Sequence, residues 1–333
     1  MCSLRLKINA YKEMKKYLFA IHLLVFSLLI QFTCVSAQTD ISKYYQFIHE
    51  AESHALKSQY EEALFFYDQA AAFDFMFGVD QYNALICSLK SGNDARRDEY
   101  LKKLGSTGFE IGPALKKYKI VIDDRLSKNS SIDETLAHQI QQLHVLDQEA
   151  RNENMHQSFY ALDDKIKVQL DSIHAIHGFL SEYKLGFASL VEKYHKLIIH
   201  QMKRDPAKYK LFLTEAVLTG QLRNTKFAWM ASNFEPDSAY CFTCVHFGLG
   251  QLLEIGGQLY ACNEGLKSFI NSNRSRYFLK PVEAAIEDDV YRYRSGSDLK
   301  IGQKPARYPD LHPENYEAFR KEIEGKGFVR YGE

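Results

Sequence analysis

The chain has no excess of charge of either sign. Its 333 residues include 42 lysines and arginines and 42 aspartates and glutamates, which gives a formal net charge of zero. Proteins that attract nucleic acid or an anionic membrane through their overall field carry a clear basic excess. The composition therefore predicts no nucleic-acid partner. With 46% hydrophobic residues, the chain can still bury a sizeable core.

The sequence motifs of the common enzyme classes are also missing. The chain contains no nucleophile elbow, no phosphate-binding loop and no H-E-x-x-H zinc motif. Gly248 and Gly250 in "HFGLG" lack the third glycine and the βαβ setting of a dinucleotide site. The sequence thus predicts no cofactor, and it leaves open whether the protein is an enzyme.

The first 37 residues have the pattern of a signal peptide. Basic residues at 14–16 precede an apolar run over residues 17–30, which is too short and too near the N-terminus to favour a membrane span. Small residues ending at Ala37 predict cleavage there, and the residues before the basic stretch form an upstream extension. We expect export to the periplasm or the extracellular space. Anchoring by a lipid on Cys34 or by an uncleaved signal is the alternative.

Four cysteines follow that segment: Cys87, Cys241, Cys244 and Cys262. Cys241 and Cys244, in "CFTCVH", have the spacing of a redox motif or of half a zinc site. No second C-x-x-C completes a metal site, and His246 stands one residue too late for covalent haem attachment. Buried thiols or a structural bridge, such as Cys244 with Cys262, are the other interpretation in an oxidising compartment.

Residues 42–112 resemble the helical hairpins of tetratricopeptide repeats. Small and aromatic residues stand at the offsets of that repeat, namely Ala51, Ser58, Tyr60, Ala63, Tyr67 and Ala70. Small residues let paired helices approach, while aromatic ones fill the gap to the next helix. A weaker copy starts at Gly78. This likeness implies a protein or peptide partner, and two repeats need a neighbouring unit for stability.

A second region, residues 132–295, again shows helical periodicity, and strand-like alternation is scarce. Glycines and serines before it mark a boundary. Ser131 and Glu134 predict a capping box at the start of its first helix. Residues 296–333 are expected to form a C-terminal tail with one short helix. The sequence therefore predicts an all-α protein.

Two helix boundaries are predicted within the second region. Apolar residues from Leu190 to Met202 keep one face of a helix that ends before Asp205-Pro206. A further helix over residues 211–218 follows and is closed by Gly220.

The stretch "HVLDQEARNEN" places charge on an inward helical face. Asp147 follows the apolar positions Ile140 and Leu143 at helical spacing, and Arg151 lies one turn later. One interpretation is an ion pair that sets helix register. Desolvating both charges costs roughly several kcal/mol. The other interpretation is therefore that a partner on another helix or a bound ligand retains the pair. Gln148 beside them could hydrogen-bond such a ligand.

Histidines are dense in the second region. His174 and His177 share a helix face with Asp171, a spacing that could hold a metal ion, although no known metal motif is present. A solvated or hydrogen-bonded pair is the alternative. His200 lies off the apolar stripe of its own helix, so it is expected to face a second helix or a cleft.

The segment 140–295 resembles a family of exported bacterial proteins known only as a domain of unknown function. In that family a D-Q-x-x-R helix comes first, an acidic residue precedes a glycine turn, and a later helix ends in histidine. The matching positions here are Asp147, Gln148, Arg151, Asp171 and His200. The chain departs from the family at "CVHFGLGQ", where a Tyr-Gly-Thr-Gln turn is usual. The resemblance implies a shared polar, ligand-binding set and supplies no reaction.

Two functions follow from these observations. The first is an exported binding or scaffold protein of the cell envelope, with a small-molecule or glycan ligand in the second region. The alternative is a divergent hydrolase-like enzyme that uses Asp147, Arg151 and His200 around a common cleft. We expect these three side chains to converge.

Mass spectrometry of the mature protein tests the export prediction. We expect an N-terminus at Gln38, because small residues ending at Ala37 close an apolar run that has a basic lead. An intact Met14 or a lipidated Cys34 would contradict it.

Overall fold

The computed structural model describes residues 40–73, 75–109, 111–120, 133–152, 156–186, 189–232, 251–255, 257–295, 298–301, 306–307 and 315–331. The predicted signal peptide, Cys241 and Cys244 lie outside these residues. Within them the chain is predominantly helical, which confirms the predicted all-α class. No helix in these ranges is long and apolar enough to cross a membrane.

The helices run through most of the described chain. Helix α1 covers residues 40–56. The others are α2 Tyr60–Ala70, α3 Gly78–Ser91, α4 Asp94–Ser106, α5 Gly112–Tyr118, α6 Glu134–Asn152, α7 His156–His177, α8 Glu182–Leu185, α9 Ser189–Met202, α10 Pro206–Leu218, α11 Asn224–Ala231, α12 Glu264–Arg276, α13 Val282–Ser295 and α14 Tyr316–Gly325. The short strands are β1 Leu253–Ile255, β2 Gln258–Cys262, β3 Ala306–Arg307 and β4 Phe328–Arg330.

Helices α1 to α4 form an N-terminal group at the position of the predicted hairpins. Helix α3 packs on both α2 and α4. The small residues Ala51, Ala63 and Ala70 are completely buried, as close helix packing requires. Gly92 ends α3 with a left-handed backbone (φ +73°), which glycine adopts without strain. Helices thus lie where the repeat pattern placed them, and their tetratricopeptide character stays a prediction.

A second helical core is built by α6, α7, α9, α10 and α11. Helix α6 packs against α7 and α9, and α10 packs against α9 and α11. Buried apolar side chains of these helices meet in one cluster, among them Ile140, Leu170, Tyr194, Leu213 and Phe227. This packing brings the face of α6 that carries Asp147 against α9, which carries His200.

The ends of these helices follow ordinary capping chemistry. Asp133 Oδ1 accepts the backbone N–H of Leu136 at 3.0 Å, so Asp133 caps α6. The predicted cap, Ser131, lies outside the described residues. The predicted break between α9 and α10 is confirmed, since Asp205 caps α10 and Pro206 is its first residue.

A small sheet stands beside the helices and was not predicted. Its strand order is β3-β1-β2-β4, with β1 antiparallel to β2, β2 antiparallel to β4, and β1 parallel to β3. Between the two central strands, Leu253 of β1 pairs with Tyr260 of β2. Helices α12 and α13 share a buried cluster with this sheet. Strands of two to five residues are too short to show alternation in the sequence.

The predicted C-terminal tail is built into the fold. Leu299 and Ile301 are buried in the core of the N-terminal helices. The backbone N–H of Lys300 donates to Asn83 Oδ1 at 2.7 Å. Residues 298–301 thereby place the Lys300 side chain at the junction between the N-terminal helices and the second helical core.

Candidate functional site

Asp147, Arg151 and His200 meet where α6 packs on α9. Arg151 Nη2 lies 3.0 Å from Asp147 Oδ1, and His200 Nδ1 lies 2.8 Å from Asp147 Oδ2. Gln148 Nε2 donates to the same carboxylate at 3.1 Å. The side chains converge as expected, although Asp147, Arg151 and His200 line neither the groove between α6 and α7 nor the two cavities described below.

Asp147 is the buried member of this group. Its side chain is 1% exposed, against 32% for Arg151 and 22% for His200. Burial alone raises the pKa of Asp147, but hydrogen bonds from His200 and Arg151 outweigh burial and hold that pKa below its usual value. Asp147 is therefore an ionised anchor for two partly exposed groups.

The Nδ1 atom of His200 can either accept a hydrogen bond from Arg151 or donate one to Asp147, but not both at once. Arg151 Nε lies 2.9 Å from Nδ1 and could donate to it, whereas a protonated Nδ1 would donate to Asp147. Because a carboxylate is the stronger acceptor, we assign the proton to Nδ1. The Nε2 atom is then the one that can accept or transfer a proton.

The candidate residues of α7 have other partners. Asp171 accepts a hydrogen bond from Lys208 and so ties α7 to α10. His174 Nε2 lies 3.0 Å from the Tyr194 hydroxyl, and burial lowers the pKa of His174 to about 4. His177 lines a groove between α6 and α7. No cluster of metal-ligating side chains occurs among the described residues.

Two cysteines lie in the described part of the chain. Cys262, the last residue of β2, is disulfide-bonded. Its partner is not among the described residues, where Cys87 is the other cysteine and is free. Burial raises the pKa of Cys87 to about 12, so this thiol is unreactive at neutral pH.

A network of buried charges joins α1 and α3 to more distant parts of the chain. Arg223, in the turn between α10 and α11, lies 2.7 Å from Asp80 and 3.7 Å from Glu52. Lys280 lies 2.8 Å from Glu52 and 2.7 Å from Asp288. Loss of one member of such a network leaves an unpaired buried charge, at a cost of about 3–5 kcal/mol.

Hydrogen bonds hold this network in place. The Tyr44 hydroxyl donates to Asp80 Oδ2 at 2.6 Å, and the backbone N–H of Asn224 donates to the Tyr45 oxygen at 2.8 Å. Burial opposes the charge of Arg223, but the carboxylates beside it outweigh burial and raise its pKa. Arg223 is consequently a fixed cation at the junction.

Arg223 also separates two cavities. The larger, which we call the junction cavity, has a volume of about 260 Å³. Its walls come from α3, α8, α9, α11, α13, the turn before α11 and residues 298–301. The lining residues are Phe77, Val79, Glu182, Val191, Glu192, His195, Gln221, Leu222, Arg223, Thr225, Lys226, Trp229, Arg292 and Lys300. Mixed apolar and polar walls contributed by separate units are typical of small-molecule sites.

Glu182 supplies a neutral carboxyl group to the junction cavity. Its Oε1 accepts the N–H of Gly78, the first residue of α3, at 2.8 Å. Burial raises the pKa of Glu182 to about 8, with Asp80 and Glu192 acting in the same direction and Gly78 and Arg223 opposing. Glu182 is therefore protonated at neutral pH and can donate a hydrogen bond.

Trp229 and His195 add aromatic surface to the same cavity. Lys226 Nζ lies 4.1 Å from the Trp229 ring centroid and 2.7 Å from Glu192. His195 is 5% exposed, and its Nδ1 has no hydrogen-bond partner among the described residues. Burial lowers the pKa of His195 to about 3, so the ring is neutral.

The smaller cavity has a volume of about 90 Å³ and borders the charge network. Glu52, Lys280 and Asp288 are part of its lining, and it shares Arg223, Thr225 and Lys300 with the junction cavity. This volume holds roughly three water molecules. The smaller cavity is thus a polar pocket that adjoins the junction cavity.

Sequence reasoning missed the junction because its residues are far apart in the chain. The available signal was Gly220, the predicted end of α10. Its φ is +71°, and an added Cβ would lie 3.2 Å from the Phe75 ring and 3.3 Å from Ile41. The turn that carries Arg223 therefore needs glycine to pack this closely on the N-terminal helices.

The chain matches no family model, no curated protein and no solved structure. The family resemblance drawn from the D-Q-x-x-R helix stays a prediction.

We expect that Arg151 or His200 alone can still neutralise the Asp147 carboxylate when the other is removed. Arg151→Leu or His200→Leu leaves the carboxylate the other of these two partners besides Gln148, so each should lower the free energy of unfolding by about 1–2 kcal/mol. The double variant leaves it without either and should cost about 3–5 kcal/mol or more, exceeding the sum of the single effects. Urea unfolding of the four proteins measures this coupling. Strictly additive losses would show that water already reaches Asp147.

We expect Glu182 to make stability fall as pH rises. The folded protein keeps Glu182 protonated up to a pKa of about 8, whereas the unfolded chain ionises near 4.5. Glu182→Gln removes this titration and can still accept from Gly78. Between pH 5 and pH 8 the variant should therefore retain up to about 4 kcal/mol more stability than the wild type. Equal pH dependence of the two thermal melts would contradict this assignment.

Proposed function

We propose that the protein is an exported binding protein that holds a small ligand in the junction cavity. Helix α3 would form one wall of this site, and helices α1 to α4 would also offer a surface for a protein or peptide partner. Export rests on the signal-peptide pattern of the first 37 residues. The ligand site rests on the junction cavity.

The observation that supports a ligand site is the composition of the cavity lining. The indole of Trp229 and the side chains of Val191 and Leu222 supply apolar surface, while Glu182 supplies a carboxyl group and Arg223 a guanidinium group. These groups come from separate helices and are held by buried contacts. Few, well-positioned polar groups in a largely apolar cavity are what orient a small ligand.

The lining favours binding over turnover. Thr225 is the one hydroxyl among the described lining residues, and it accepts a hydrogen bond from Arg223 Nη1 at 2.7 Å. His195 lies in the same wall, and no contact joins it to Thr225 among the described interactions. A nucleophile paired with a base, as covalent catalysis needs, is therefore not assembled from this lining.

Trp229 is the single tryptophan of the chain, so its fluorescence reports on the junction cavity. We expect compounds from a panel of small metabolites to change this fluorescence and to raise the melting temperature. Val79→Phe, which fills the cavity from α3, should abolish both responses. Leu211→Phe is the matched control, because Leu211 is 76% exposed and lines neither cavity nor the groove between α6 and α7.

Two results would contradict this proposal. One is that no compound of the panel alters the Trp229 signal. The other is that Val79→Phe and Leu211→Phe respond to the compounds alike, which would place binding elsewhere.

A second candidate function is acid–base catalysis at Asp147 and His200. The observation that favours it is the 2.8 Å contact that orients His200 Nδ1 toward a buried carboxylate. Nε2 is left to exchange protons with a substrate held by Arg151. Hydrolysis of chromogenic esters and glycosides by wild type, but not by His200→Ala, would support this alternative, and equal rates would exclude it.

A further inference from the structure

His195 is a lining residue of the junction cavity that carries an unpartnered polar atom. Its side chain is 5% exposed, and its Nδ1 atom has no hydrogen-bond partner among the described residues. The ring stacks on Phe179 at a centroid distance of 6.1 Å and lies 5.9 Å from the Tyr194 ring. These rings hold the imidazole in place without satisfying its nitrogen. Because a buried polar atom without a partner costs free energy, a ligand that supplies the partner recovers it.

Glu182 offers a second polar atom, from α8. Its Oε1 accepts the N–H of Gly78 at 2.8 Å, and no hydrogen bond joins its Oε2 to a described residue. Burial raises the pKa of this carboxyl group to about 8, so the group carries a proton at neutral pH. Since Oε1 is the acceptor, the proton lies on Oε2. Glu182 can therefore donate a hydrogen bond to an oxygen atom of a ligand.

The cations of the cavity lining already have partners. Lys226 Nζ lies 2.7 Å from Glu192 Oε2, and Arg223 Nη2 lies 2.7 Å from Asp80 Oδ1. Interactions with other residues also engage the remaining cations of the lining, Lys300 and Arg292. A charged ligand would compete with these contacts and would have to bury its own charge. An uncharged ligand would instead meet the two unpartnered atoms, both on groups that are uncharged at neutral pH.

Apolar side chains form another part of the same lining. Phe77, Val191, Leu222 and Trp229 provide aromatic and aliphatic surface. A volume of about 260 Å³ restricts the occupant to a small molecule. A molecule with one polar end and an apolar body would match both parts of the lining.

On the basis of the proposed function, we infer that the ligand of the junction cavity is an uncharged small molecule with an apolar or aromatic body and a carbonyl or hydroxyl oxygen. That oxygen accepts a hydrogen bond from Glu182 Oε2. The imidazole of His195 forms a second hydrogen bond to the same polar end. The body lies against Trp229 and the aliphatic side chains. An amide and an alcohol share the chemistry required of the polar end.

The test uses probes that share one body and differ in the polar end. The probes are 3-phenylpropionamide, 3-phenylpropanol, 3-phenylpropionate, 3-phenylpropylamine and propylbenzene, each titrated into the protein at pH 7 with Trp229 fluorescence and calorimetry. We expect the amide or the alcohol to bind about tenfold or more tightly than the anion, the amine and the hydrocarbon. Comparison of the amide with the alcohol identifies the preferred polar group.

Variants assign the preference to named side chains. His195→Phe keeps an aromatic ring without its nitrogens, and Glu182→Leu removes the O–H donor. Each should weaken binding of the tighter uncharged probe about tenfold and leave propylbenzene binding unchanged. Glu182→Gln can still accept from Gly78 and donate to the ligand, so it should keep the affinity, which separates the hydrogen bond from folding. His138→Phe, which replaces an exposed histidine of α6, is the matched control and should have no effect.

The outcomes separate this inference from the function it rests on. If the anion or the amine binds as tightly as the amide and the alcohol, and Val79→Phe abolishes that binding, the cavity is a ligand site and the inference of an uncharged ligand is wrong. Undiminished binding of the uncharged probe to His195→Phe and Glu182→Leu also overturns the inference. If no probe binds, the metabolite panel decides, since a charged compound whose binding depends on Val79 contradicts the inference and an uncharged one supports it. If no probe or metabolite binds in a manner that depends on Val79, the proposed function itself fails.

Discussion

The contact between Arg223 and Asp80 is the interaction on which the junction depends. Asp80 is completely buried in the first turn of α3, and Arg223 approaches it from the turn before α11. Burying either charge without its partner would cost roughly several kcal/mol. Because Glu52 lies beside Arg223 and also binds Lys280, the same network reaches α13 through Asp288. Packing of the N-terminal helices on the second core is thus coupled to charge pairing.

The junction cavity follows from this arrangement. Charged side chains line the space beside Arg223, which is not closed by apolar packing. The same enclosure that stabilises the ion pairs keeps Glu182 protonated, since burial penalises its charged form. One physical cause, the burial of charged and titratable side chains at the junction, therefore shapes both the stability of the fold and the chemistry offered to a ligand.

Local features of the structure could be predicted from the sequence, and distant ones could not. Helical periodicity predicted α9 and the break before Pro206, and the angular positions of Asp147 and His200 predicted their convergence. The contact of Arg223 with Asp80 joins residues 143 positions apart, so no spacing rule could find it. The sheet escaped prediction because its strands are short and its partners lie in the C-terminal segment. Sites built from one helix pair are accessible to sequence reasoning, whereas sites built between units require the fold.

The most direct test of this account measures the free energy of unfolding of Arg223→Met and of the double variant Asp80→Asn/Arg223→Met. We predict that Arg223→Met lowers the free energy of unfolding by about 3–5 kcal/mol, because it leaves Asp80 charged and buried. The double variant removes that charge and should recover a large part of the loss, since an amide can still accept from the Tyr44 hydroxyl. A single variant as stable as the wild type, or a double variant no more stable than the single one, would contradict the central role of this ion pair.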